Sequence, residues 1–200
     1  MKKLLTSLAV LAVAFVSIFQ ATSAVFEESV KVAGTSFTVG TTAGGGDTGN
    51  TALKMLLDVS GSNESTNLTD TTAGPSFDNI DAEWVDTILV KLYNQGAETL
   101  DVVSNVEYIN DPDTLRDDIF VEILSWDDVN NNGLLDAGEE GVSYGYDTIL
   151  RLKNDIFLLG MIEPGEVKGL ALKFDGTGVT DYNFGQSAVY DFEFVGMGQL

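Results

Sequence analysis

Ala188-Val189-Tyr190-Asp191-Phe192-Glu193-Phe194-Val195 sets an aromatic ring at every second position and a carboxylate between each pair of rings. Side chains alternate across a β-strand, so Tyr190, Phe192 and Phe194 fall on one face and Asp191 and Glu193 on the other. Such a segment is a strand with one buried and one wet side. The same alternation recurs outward along the chain in Ser36 to Val39, Ala52 to Val59, Val85 to Tyr93, Leu100 to Ile109, Ile119 to Trp126, Thr148 to Leu152 and Val167 to Phe174. Turn residues separate these runs, among them Asn94-Gln95-Gly96, Asn110-Asp111-Pro112-Asp113, Pro164-Gly165-Glu166 and Asp175-Gly176-Thr177-Gly178. The pattern predicts an all-β domain, a jelly-roll-like antiparallel β-sandwich with long polar loops. One short helix is predicted over Lys153 to Ile162, where Ile156, Leu159 and Ile162 would share a face. Thr41 to Asn50 and Ser60 to Asp81 are Gly-, Ser-, Thr- and Asn-rich and are read as loops.

The beginning of the chain has a different character. Lys2 and Lys3 precede an apolar run from Leu4 to Phe19, which ends in Gln20-Ala21-Thr22-Ser23-Ala24. This is the layout of a secretory signal peptide cut before Val25 by a signal peptidase, and the apolar run is short for a bilayer span. The expected organisation is a leader over 1–24, an extended N-terminal segment over 25–35 and the sandwich over 36–200. The product is expected to be secreted, to act outside the cell or at its surface, and to leave the membrane after cleavage. Loss of Lys2 and Lys3 leaves eight basic against 31 acidic side chains, a net charge of −23. Nucleic acid and anionic membrane are poor partners for such a surface, and identical copies repel unless cations, directional pairing or apolar docking offset the charge. The chain has no Cys, so no disulfide supports the fold.

Asp128-Val129-Asn130-Asn131-Asn132-Gly133-Leu134-Leu135-Asp136-Ala137-Gly138-Glu139 satisfies D-x-[DN]-x-[DN]-G-x5-E. In that spacing the side chains of Asp128, Asn130, Asn132, Asp136 and Glu139 and the Leu134 carbonyl would surround a calcium ion, with Gly133 allowing the tight turn. A β-type segment precedes the loop where a regulatory EF-hand has a helix, so the expected role of calcium is structural. The metal-free alternative is a polar turn between two strands.

With neither His nor Cys, the chain can assemble no Ser-His-Asp or Cys-His site and no His-based zinc motif. Close carboxylates are expected by abundance alone and carry no catalytic signal, so the chain is not expected to be an enzyme. Trp84, Trp126, Tyr93 and Tyr108 could line a carbohydrate-binding face, although strand aromatics more commonly pack in a core. Asn63-Glu64-Ser65 and Asn67-Leu68-Thr69 are formal N-glycosylation sequons.

Val25-Phe26-Glu27-Glu28-Ser29, then Gly34-Thr35-Ser36-Phe37-Thr38-Val39-Gly40-Thr41 and the strand Ala52 to Asp58, resemble the beginning of TasA/camelysin-family proteins. Val90-Lys91-Leu92-Tyr93-Asn94-Gln95-Gly96, Ile162-Glu163-Pro164-Gly165-Glu166 and the ending from Asn183 to Val195 with Gln199 are similar to later parts of that family. The insert Ser60 to Asp81 departs from its simplest pattern. The resemblance implies a subunit of an extracellular biofilm fibre or pilus, a homopolymer in which the N-terminal segment of one copy fills a strand position in the next. Along that segment, Val25 to Val32, alternation puts Phe26, Val30 and Val32 on one side, and with Val25 these are the residues expected in the donated strand. Alternating apolar residues followed by Gly-rich sequence are compatible with that mechanism, since a donated strand satisfies an open sheet edge by backbone pairing. The competing expectation is a secreted monomeric, calcium-stabilised β-sandwich binding module.

Overall fold

The computed structural model describes residues 27–33 by their backbone and residues 52–78, 80–183 and 186–198 in full. The predicted leader, Val25, Phe26, the strand Ser36 to Val39 and the loop Thr41 to Asn50 lie outside the described residues.

The described chain is an antiparallel β-sandwich, as the alternation predicts, with one short α-helix. One sheet runs in the order β10 (Phe157–Ile162), β7 (Leu100–Asn110), β12 (Ser187–Gly198), β1 (Glu27–Ala33), β4 (Thr71–Ala73), and β5 (Phe77–Asp78) also pairs with β12. The second runs β3 (Leu68–Thr69), β2 (Leu53–Leu56), β6 (Val85–Asn94), β11 (Val167–Asp175), β8 (Phe120–Trp126), β9 (Glu140–Thr148). All pairs are antiparallel except β1 with β4. The chain passes repeatedly from one sheet to the other, which is how a jelly-roll-like sandwich encloses its core.

The opening stretch buries its aromatic face as its period requires, but its other face is not wet: Glu193 and Val195 are buried as well and Asp191 is half-buried. Tyr190, Phe192 and Phe194 of β12 are buried between the sheets. The Phe192 ring meets Phe174 of the opposite sheet edge-on at 5.2 Å. Each such ring contributes roughly 1.5–3 kcal/mol by burial, and edge-on pairs add to that.

Two readings are corrected. The predicted strand Thr148 to Leu152 is instead α1 (Ile149–Asn154), where the Thr148 hydroxyl accepts from Arg151 N and Ile149 and Leu152 are buried. The predicted helix Lys153 to Ile162 is mostly strand β10. Its apolar spacing misleads because β10 carries a bulge: Leu158 pairs with Val103 and Gly160 with the adjacent Val102, leaving one residue extra. Gly160 sits at φ +82°, where glycine is favoured. The bulge shifts the inward parity, so Leu159 and Ile162 are both buried three residues apart, as on a helix.

The polar stretch Ser60 to Asp81 is also more structured than its composition suggests. It contains β3, β4 and β5, and its Phe77 is fully buried against Tyr190 at 5.1 Å and Phe174 at 5.7 Å. A lone aromatic in a polar run has no periodicity to announce it. Edge strand β9 is a further strand beyond those expected; Val142, Tyr144 and Tyr146 do alternate along it, but it is mostly exposed and lies between the calcium-type loop and the helix.

Candidate metal-binding loop and strand-insertion site

The 127–139 segment joins β8 to β9 and lies over the outer face of the second sheet. Its neck is closed by Asp127 N donating to Glu139 O at 3.0 Å. Asn131, Gly133 and Gly138 adopt positive φ, which lets the chain coil back on itself. A Cβ on Gly133 would stand 2.8 Å from the Ser60 Cβ, so the β2–β3 loop packs closely against this one.

The six predicted ligand positions fall into two groups. Asp128 and Glu139, at the ends of the loop, are only 8% and 6% exposed. Asp128 Oδ1 accepts from Asn132 N at 3.0 Å, and Oδ2 accepts from Gly133 N and from the Lys91 ammonium, each at 2.9 Å. Glu139 Oε1 accepts from Val129 N, and Oε2 accepts from Asp136 N and from Trp126 Nε1. At the exposed tip, the amides of Asn130 and Asn132 both donate to Asp136 Oδ2 at 2.8 Å. Leu134 N donates to Asn132 Oδ1, leaving the Leu134 side chain outside. Among the described residues, no three Asp, Glu, His or Cys side chains converge as a ready metal cluster. The donor set is all oxygen once the two amides are turned, which suits a hard cation, but the Lys91 ammonium holds Asp128 Oδ2 and would have to give up that oxygen to the ion.

Lys91 is the functional neighbour that the sequence did not reveal. It projects from the outer face of β6, its ammonium 5.0 Å above the Trp126 ring. Burial raises the Asp128 pKa, but the Lys91 hydrogen bond and the Gly133 and Asn132 amides outweigh it and hold the carboxyl below its ordinary value. A strand lysine 37 residues away in sequence carries no local sign of its partner. Trp126 itself is 3% exposed beneath the loop, which closes it to a sugar. Trp84 packs on Phe77, and Tyr108 lies under the Arg116 and Lys153 cations, so neither joins Trp126 in a shared platform. Of the two sequons, Asn67 is built into the fold: its Nδ2 donates to Asp58 O and Ser62 O, and its Oδ1 accepts from Asp58 N.

The second site is the position of β1. Glu27–Ala33 pairs antiparallel with β12 through seven consecutive residues, from Glu27 opposite Met197 to Ala33 opposite Asp191. On its other side Lys31, Val32 and Ala33 pair in parallel with Thr71, Thr72 and Ala73 of β4. Val30 and Val32 stand opposite Phe194 and Phe192, two of the core rings. Of the residues assigned to a donated strand, these two are in β1, and Val25 and Phe26 lie outside the described residues. The N-terminal strand is thus an interior strand of its sheet.

Among the described residues no helix is long and apolar enough to cross a membrane. No family model, curated protein or solved structure matches the chain.

Proposed function

We propose that this chain is the building subunit of an extracellular fibre, polymerising head to tail as the N-terminal strand of each copy completes the first sheet of the next. The observation that carries the reading is the interior place of β1. Withdrawing it would open one edge of β12 along seven residue pairs and leave β4 without its β1 partner. An identical strand from another copy supplies the same backbone pairs, so each copy's inventory is unchanged by exchange. Residues 34–51 are rich in Gly and Thr, and a chain of that length can extend to roughly 60 Å at most. The contact joins two different surfaces, so it propagates as a filament unless its rotation closes a ring.

Calcium belongs to this proposal as a structural cation held by Asp128, Asn130, Asn132, Asp136, Glu139 and the Leu134 carbonyl. The full loop spacing and the oxygen-only donor set support it. Bound there, it would hold the β8–β9 loop in one shape, since all six donors belong to that loop.

The test removes residues 25–32 from the mature chain. The expected result is loss of polymerisation, with a peptide of those residues restoring the truncated chain's melting transition and blocking growth of intact copies. Phe26→Asp in the peptide should weaken both effects, since a charge enters where an apolar residue is expected. Fibres growing normally from the truncated protein would overturn the mechanism. One observation favours the alternative of a secreted, monomeric, calcium-stabilised module: β1 here completes its own sheet. That alternative is the outcome if the full mature chain stays monomeric at high concentration.

A further inference from the structure

Lys31 is the only basic residue between Lys3 and Lys54, in a chain with 31 acidic side chains. In the β1–β12 register it stands directly opposite Glu193, and the next pair on the same face is Ser29 with Val195. Glu193 belongs to the face of β12 turned away from the aromatic core, yet it is only 8% exposed. Its neighbour on the β7 side is Asn105, whose Nδ2 donates to Glu193 Oε2 at 3.4 Å, a long contact. A carboxylate so far removed from water calls for a charged partner, and the strand on its other side brings a lysine to the facing position.

We infer that Lys31 opposite Glu193 is the charge key by which sheet strand β12 of one copy accepts the N-terminal strand of another copy of this chain. The inference rests on the strand-exchange reading above. It follows from what an opened β12 edge would present: Asp191 and Glu193 on its polar face, in a chain of strongly negative charge. Two such edges pairing with each other would set carboxylates against carboxylates, which disfavours a closed two-fold dimer. A donor strand sets Lys31 against Glu193, while its Glu27 and Glu28 stand opposite Met197 and Gly196 and face no carboxylate across that ladder. A slip by one residue would move Lys31 to the face of Phe192 and Phe194 and Val30 and Val32 away from it. The apolar residues supply the attachment, and the lysine selects which edge and which register receive it.

Charge reversal separates this from its alternatives. In the mature chain, Lys31→Glu places glutamate against Glu193, and Glu193→Lys places lysine against Lys31. Each variant alone should need a roughly tenfold higher concentration to form fibres. An equimolar mixture should polymerise as the unaltered chain does, because each variant's strand matches the other's acceptor, and mass-tagged copies should alternate along the filament. The double variant Lys31→Glu/Glu193→Lys should polymerise by itself. Single variants that assemble like the unaltered chain would overturn the key and leave strand exchange standing. Rescue of melting in the double variant with no rescue in the mixture would confine the pair to one chain and overturn both the key and the exchange.

Discussion

Deleting Gly160 should leave the protein folded and nearly as stable, whereas deleting its neighbour Leu159 should not. The two products have the same length and differ only in whether Leu or Gly follows Leu158. In β10 the bulge fits one extra residue into the span facing Leu100 to Ser104. Without Gly160 the strand reads Phe157, Leu158, Leu159, Met161, Ile162, and regular pairing puts Leu159 opposite Val102, Met161 opposite Asp101 and Ile162 opposite Leu100. Leu100, Val102, Leu159 and Ile162 are all core residues, and Met161 is exposed already, so inward and outward parity are preserved. Loss of the bulge removes the left-handed backbone and restores a regular ladder bond, a change within about 1 kcal/mol. Deleting Leu159 gives the same backbone with glycine in the buried slot. A buried Leu→Ala change costs about 2–5 kcal/mol and glycine in a strand about 1 more, so the two deletions should differ by roughly 3–6 kcal/mol. For a domain of this size that is on the order of 10–20 °C in melting temperature. Guanidinium unfolding of both proteins measures the difference directly, and amide exchange over β10 reports whether the ladder is regular. Equal destabilisation by the two deletions would refute the bulge account, because it would mean that residue 160 cannot be removed without turning Ile162 out of the core.

Tyr190→Phe removes a fully buried hydroxyl that makes no well-aligned hydrogen bond, Asp111 being the acceptor its pKa shift points to, and should change stability by no more than about 1 kcal/mol in denaturant unfolding. Burial pushes the Tyr190 pKa far above its ordinary value of 10.0, with Asp111 adding to the shift. A raised folded-state pKa means that stability is intact below pH 10 and declines above it, so Tyr190→Phe should soften the alkaline loss without abolishing it, Tyr108, Tyr144 and Tyr146 being raised too. Destabilisation by more than about 1 kcal/mol would show that the hydroxyl is bonded after all. For the loop, millimolar calcium should raise the melting temperature relative to chelator, and Asp128→Ala or Glu139→Ala should reduce that rise, since a ligand of the folded state alone stabilises by mass action. Calorimetry without binding heat, together with identical melting in chelator, would remove calcium from the account.

What the sequence determined by itself was whatever is periodic or local. Alternation along Ala188 to Val195, Val85 to Tyr93 and Val167 to Phe174 specified strands and their buried faces, because side-chain direction repeats every two residues whatever the strand packs against. The Asp128 to Glu139 loop was legible because its donors lie within twelve consecutive residues. Tertiary structure decided the rest. The spacing of Leu159 and Ile162 fits a helix or a bulged strand equally, and pairing with β7 selects the strand. Phe77 enters the core only because β12 runs beside it. The place of β1 between β12 and β4 and the meeting of Lys91 with Asp128 join residues far apart in the chain. Such contacts are chosen by which faces must be buried together, and a single strand's pattern names the face without naming its neighbour.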